Sequence, residues 1–260
     1  MKDASSPAPG GAGLRGVHHP GTGPDTPLDH ADRISLGYPE TKWVAEKLVI
    51  EAGRRGLPVA VHRPYEVTGT VDRGVWNTDT MMCALFRTIA ETGLAPDMAL
   101  PLDFVPVDYT ADAITHIITH EEPDGRVYHL TNPRPARLPL LVDRLTTMGY
   151  LGRTVPYELW TEMLAELTAR LPDHPMAPYL PMFVEPARDS EVSVKQMYTD
   201  GVFPTFSRHH TDAALAESAL VCPPVDAGLL DTYLREFRRT GFLAPPSTIK
   251  RDASTSGPAS

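Results

Sequence analysis

The segment "LGYPETKWVAEKLVIEAGRRGLPVAVHRPYEVTG", from Leu36 to Gly69, decides the fold. Pro39 suits a first helical turn, and Glu40 beside it complements the positive end of the helix dipole. Val44, Leu48 and Val49 form an apolar stripe at helical spacing, which Gly53 and Gly56 are expected to end. "LPVAVHRP" is then almost continuously apolar, as a buried parallel strand is. A helix feeding such a strand belongs to an open α/β sheet.

The same alternation continues downstream. Thr78 and Asp79 predict the cap of a helix running through Ala90, with Gly93 as its stop. "DFVPV" reads as a strand, Asp108 as the N-cap of a helix through Ile118, and "GRVYHLTN" as a further strand. After Pro139 the chain turns mainly helical, with segments near 139–148, 157–170, 211–219 and 226–239 separated by Pro-rich connections such as "LPDHPMAPYLP". Residues 1–33 and 247–260 carry no periodic apolar pattern and are expected to lack order, because they cannot bury enough surface to offset chain entropy. The expected division is a disordered head (1–33), a partial Rossmann-type core (34–138), a helical substrate and carrier lobe (139–246) and a disordered tail (247–260).

Composition narrows the class. The chain has 260 residues, 42% hydrophobic and 22% charged, which supports a globular core. A net charge of −9 argues against nucleic acid and membrane surfaces as partners, since both attract basic clusters. Arg54-Arg55 and Arg238-Arg239 are isolated pairs at expected helix ends. Cys83 and Cys222 are far apart with no CxxC spacing, the pattern of reduced thiols. The first apolar run of any length starts after residue 42 and none reaches membrane-spanning length, so a soluble cytoplasmic protein without a signal peptide is expected.

Tyr38 and Lys42 stand four apart, hence on one helix face. A lysine ammonium held there stabilises phenolate, and the tyrosine can then give a proton to a carbonyl oxygen as a general acid. The motif alone is common. Its setting at a helix head, before a buried strand and "HRPYEVTGTVDRG", is not.

These stretches, in order, resemble the extended short-chain dehydrogenase/reductases. They are most similar to the thioester reductase domains that end nonribosomal peptide synthetases and carboxylic acid reductases. "GYPETKWVAEKLV", "RGLPVAVHRPYEVTGTVDRGVWNTDT", "GLAPDMALPLDFVPVDYTADAI" and "GRVYHLTNP" follow that pattern. "GYLGRTVPYELWTEML" and "CPPVDAGLLDTYLREFRRTGFLAPP" look like its C-terminal signature, so the resemblance covers about residues 34–246. It implies the C-terminal half of a doubly wound parallel Rossmann-type sheet with a helical substrate lobe. It implies Tyr38 as catalytic acid and Lys42 as the residue that orients the nicotinamide ribose. The turn from Pro64 to Val67 would lie at the nicotinamide carboxamide, and Gly69, Gly74 and Asn77 would shape the substrate crevice. The implied cofactor is NADPH. The implied partner is an acyl or peptidyl carrier protein whose phosphopantetheine-bound thioester is reduced to aldehyde or alcohol.

Two features depart from that family. The glycine clusters at 10–13 and 21–23 neither follow an apolar strand nor open a helix, so neither makes the pyrophosphate turn. Ser5, Ser6, Thr22, Thr26 and Ser35 do not occupy the place of the family's strand-end Ser/Thr. The glycine-rich N-terminal half is therefore expected to be absent from this chain, which alone should bind NADPH poorly and reduce nothing. A complementing N-terminal reductase half is a possible partner. The alternative is a non-catalytic module that binds a carrier protein and has lost the cofactor.

Other constellations read as structural. His116 and His120 share a helix face without a third ligand, so no metal is expected. His209 and His210 suit a helix start, and His62 suits a satisfied core or sheet-edge position. No GxSxG elbow supports a hydrolase.

Overall fold

The computed structural model describes residues 37–98, 100–150, 152–184 and 206–246, with residues 37–39 described through their backbone. The expected disordered head and tail lie outside the described residues. Helix α1 (Gly37–Arg54) is followed by strand β1 (Val59–Pro64), as the opening segment predicts. The side of α1 that meets the sheet differs from the expected one. Val44, Leu48 and Val49 are 48%, 66% and 39% exposed, whereas Trp43, Glu46 and Ile50 are half-buried. The reason is electrostatic: Arg63 of β1 donates from Nε to both carboxylate oxygens of Glu46, at 3.1 and 3.2 Å, and this pair selects the inward face.

β1 pairs in parallel with β6 (Asp124–Leu130), from Val61 opposite Val127 to Pro64 opposite Leu130. The chain bends at Tyr65, whose N–H donates to the Leu130 carbonyl at 3.0 Å. It continues as β2 (Glu66–Thr68), which pairs in parallel with β5 (Phe104–Pro106). Helix α2 (Met81–Thr92), β3 (Leu94–Pro96) and β4 (Pro101–Leu102) lie between these strands in sequence, and α3 (Val107–His120) joins β5 to β6. β7 (Ala136–Arg137) pairs antiparallel with β4, and β8 (Arg153–Val155) pairs in parallel with β3. Strands β2, β3, β4, β7 and β8 have two or three residues each, too short to impose a period on the sequence.

Successive strand residues face opposite ways. Arg63 and His129 face α1, while Tyr128 and Leu130 face the other side. There they pack with Val105, Tyr109, Ala113 and Ile117, and with Ala214, Leu215 and Cys222 from α7 (His209–Ala214) and the segment after it. The sheet is therefore covered on both faces, which its apolar strands require.

The second cluster holds the lobe: α4 (Leu138–Thr147), α5 (Tyr157–Arg170), α6 (Leu180–Val184) and α8 (Ala227–Arg239) pack with α2. Phe86, Trp160, Tyr233 and Phe237 are at most 1% exposed at its centre. Burial of each such side chain stabilises by roughly 1.5–3 kcal/mol. This cluster draws residues from Trp76 to Phe104 as well as from Leu138 onward.

Three local expectations are corrected. α2 is capped by Thr80, whose hydroxyl accepts from the Cys83 N–H at 3.2 Å, not by Thr78 and Asp79. α3 starts at Val107 behind Pro106, so Asp108 is inside the helix and is not its cap. The helix expected at 211–219 is His209–Ala214, ended by turns through Ser218. Gly93 is the left-handed stop of α2, as expected. Among the described residues no helix is long and apolar enough to cross a membrane.

Candidate active site

The Glu46–Arg63 pair fixes where the head of α1 goes. Gly53, near the end of α1, lies against Val59 at the start of β1, and Glu46 lies against Arg63 near the end of β1. Helix and strand are therefore antiparallel, and the head of α1 extends past the C-terminal end of β1. At about 1.5 Å per residue, positions 42 and 38 lie roughly 6 and 12 Å beyond Glu46, on the same helix face. That is the edge where parallel α/β sheets bind ligands. Lys42 is exposed there, because it has passed the last strand residue.

Arg63 also donates from Nη1 to His129 Nε2 at 3.0 Å. An arginine can only donate, so His129 carries its proton on Nδ1, which donates to the Ser207 carbonyl at 3.1 Å. α1, β1, β6 and the approach to α7 are thus tied by one chain of polar contacts.

Pro64 is exposed at the end of β1, and Val67 is half-buried in β2. Gly69 and Gly74 are buried in the loop that leaves β2. Tyr233 of α8 clamps this loop: its hydroxyl donates to the Gly69 carbonyl at 3.0 Å and lies 2.8 Å from Thr68 Oγ1. Asp108 holds the same loop by accepting from the Val71 N–H at 2.8 Å. Gly74 has φ +70°, and a Cβ on it would sit 2.7 Å from the Thr232 carbonyl oxygen. Gly74→Ala combines that clash with a strained backbone, and is expected to cost about 2 kcal/mol or more in urea unfolding. A change under about 0.5 kcal/mol, the scale of an uninvolved surface position, would show that the loop does not depend on this close approach. Asn77 is exposed before α2, where its Oδ1 accepts from the Asp79 N–H at 3.1 Å.

Sequence reasoning missed the acids of this edge. Burial pushes Glu66 up to about 7. Asp103 rises to about 6 because burial outweighs the Asn132 N–H and the Arg208 guanidinium. Burial first, and then the charges of Asp103 and Glu66, push the Tyr65 phenol up to about 12. Glu66 opens β2 directly after Pro64 and Tyr65, and nothing in a strand pattern marks it.

A carboxyl whose folded pKa exceeds its unfolded one binds more protons in the folded state between the two values. Stability from Glu66 is therefore fully present below about 4.5 and is lost as pH rises through about 7. Glu66→Gln is expected to be more stable than the parent near pH 8, by roughly 2 kcal/mol and so with a higher melting temperature, the difference closing toward pH 4.5. Equal melting at both pH values would show that the carboxyl is well solvated.

His62 departs from its expected satisfied state. Its ring stacks on Tyr128 at 5.4 Å, and both ring nitrogens are buried without a hydrogen bond. Burial lowers its pKa, so the ring stays neutral. His116 and His120 stack at 4.0 Å, and no set of three His, Cys, Asp or Glu suited to a metal occurs among the described residues. Cys83 and Cys222 are buried free thiols.

A helix carrying Tyr-x3-Lys past the end of a parallel strand, in an α/β sheet, defines the short-chain dehydrogenase/reductase class of oxidoreductases. Residues 19–114 match an NAD-binding family described as male sterility protein. The chain is 29% identical over 88% of its length to the glycine betaine reductase ATRR of Emericella nidulans. It is 31% identical over 80% of its length to the non-canonical nonribosomal peptide synthetase hkm10 of Aspergillus hancockii. Its fold is similar to the solved terminal R domain of the myxalamid PKS-NRPS pathway, with TM-score 0.75, 34% identity and 89% of the chain covered. Over most of its length the chain is similar to thioester reductase-like domains of the short-chain dehydrogenase/reductase superfamily. It spans 18% and 20% of the two relatives' own lengths, and 56% of the solved chain.

Proposed function

We propose that this chain forms the catalytic-helix and substrate portion of a reductase acting on acyl thioesters carried by a phosphopantetheine arm. The observation that carries this reading is the antiparallel seating of α1 on β1, from which helix geometry carries positions 38 and 42 beyond the strand end. Tyr38 gives its proton to the thioester carbonyl oxygen as the carbon is reduced. Lys42 stabilises the phenolate left behind. The resulting hemithioacetal loses the thiol, which takes back one proton, and leaves the aldehyde. A second reduction of the same kind gives the alcohol.

A bound nicotinamide dinucleotide, NADPH by family resemblance, supplies hydride. The bend from Pro64 to Val67 and the exposed Lys42 fit its nicotinamide-ribose end. Among the described residues the loop with Gly69 and Gly74 between β2 and α2 is assigned to the substrate crevice, and this reading gives the pyrophosphate to the nucleotide-binding half. The exposed Val44–Leu48 stripe, and a β1 whose one ladder among the described residues is to β6, offer an apolar helix face and a strand edge to a nucleotide-binding half. Such a half, and a carrier protein, are the partners this reading assigns.

The test is to follow aldehyde formation from an acyl-pantetheine thioester and NADPH, first with the 260-residue chain and then with it joined to the N-terminal half of a related reductase. Reduction by the joined protein only is expected. Turnover by the chain alone would overturn the dependence on a second half. Binding of the carrier protein with no reduction in either form would favour the non-catalytic module.

A further inference from the structure

We propose that Glu66 reads the acyl group of the substrate, its carboxylate taking a protonated amine carried on that group; this rests on the thioester-reductase reading above. Glu66 and Thr68 alternate onto the same face of β2. Thr68 is tied to Tyr233 of α8 on that face, and the Glu66 charge reaches Cys83 of α2. The carboxyl thus lies between the sheet edge and the lobe, two residues beyond the end of β1.

Glu66 stands apart from other half-buried acids. Glu46 is held by Arg63, Asp231 by Arg144 at 2.8 Å, and Asp103 by the Asn132 N–H at 2.6 Å. Glu66, half-buried, has no hydrogen bond and no ion pair among the described residues. A carboxylate shielded from water without a partner is costly. The charges that act on its neighbours are acidic: Asp103 and Glu66 act on Tyr65, and Glu66 and Asp79 act on Cys83. A cation with hydrogen-bond donors suits this acidic setting. An ammonium has three donors and no acceptor. A carboxylate or phosphate on the acyl chain would be repelled. The substrate class that follows is an aminoacyl thioester whose amine is free near the carbonyl.

The probes are two hydrolysis-stable pantetheine amides, aminoacetyl and acetyl, which differ by the amine alone. Their dissociation constants are measured by calorimetry with the full chain and with Glu66→Gln, at about pH 7.5 and about pH 5.5. The parent is expected to prefer the aminoacetyl probe at least about tenfold at the higher pH, the scale of one hydrogen bond to a charged group. The preference should shrink at the lower pH, as the carboxyl, with its pKa near 7, protonates. In Glu66→Gln the ratio should fall to about one, while in Asp103→Asn it should persist. Equal affinity of the two probes for the parent would overturn the proposal and leave the thioester reading standing. A preference that survives Glu66→Gln would assign the amine to another group and overturn it too. If neither probe binds, the crevice itself is wrong, and both readings fall.

Discussion

Tyr38→Phe is expected to lower turnover of an acyl thioester by about 10²–10⁴-fold, the contribution of one positioned general acid, in the reductase formed with a nucleotide-binding half. The substitution removes a single oxygen, so KM for the thioester should change by less than about threefold, the loss falling on the chemical step. Lys42→Ala should act through the phenol. Without the ammonium the phenolate loses its stabilisation, and the rate profile should shift along the pH axis in a way Tyr38→Phe cannot show. Rates from pH profiles of both variants provide the check. A Tyr38→Phe variant within tenfold of the parent would remove position 38 from the chemistry.

Arg63→Ala is the substitution with the largest expected structural effect near the site. It strips the partner from Glu46 and leaves His129 Nε2 without its donor. Breaking a buried ion pair costs ~3–5 kcal/mol. Solvent reaches this pair, with side-chain exposures of 24% and 18% for Arg63 and Glu46, so about 2–3 kcal/mol is expected. Melting should fall by roughly 4–12 °C for a protein of this size. The double variant Glu46→Leu with Arg63→Leu removes the stranded charge and should recover part of that loss. If the double variant is as unstable as Arg63→Ala, packing and not charge holds α1 on β1. Because α1 carries Tyr38 and Lys42, Arg63→Ala should also lower turnover, whereas a variant that only thinned the core would not.

Several elements were legible in the residues. β1, β5 and β6 could be expected as strands, and α2, α5 and α8 as helices through Ala90 and near 157–170 and 226–239, although the cap of α2 is Thr80 and not Thr78 and Asp79. Tyr38 and Lys42 could be singled out because spacing on one helix is a local property. Asp108 was read as a cap because an acid before an apolar helix usually is one. The structure gives its carboxylate to the Val71 N–H instead, a contact between residues 37 positions apart that no local pattern records. Gly69 and Gly74 could be picked out by family resemblance, but the physical need for glycine at 74 is the backbone of Thr232, far along the chain.

The inward face of α1 shows the division most clearly. Amphipathic spacing offers Val44, Leu48 and Val49 as the buried stripe, since apolar burial is the strongest local cue. The tertiary structure turns Trp43, Glu46 and Ile50 inward, because Arg63 on β1 requires a carboxylate partner more than the sheet requires three more apolar contacts. By itself the sequence determined the alternation of helices and strands, the pairing of Tyr38 with Lys42 on one helix and the family they resemble. Only the tertiary structure decided which way that helix faces, how far its head passes the strand, and that the Glu66 side chain has no partner among the described residues. Spacing along the chain is fixed by covalent geometry. Desolvation and charge pairing exist only once distant segments have met.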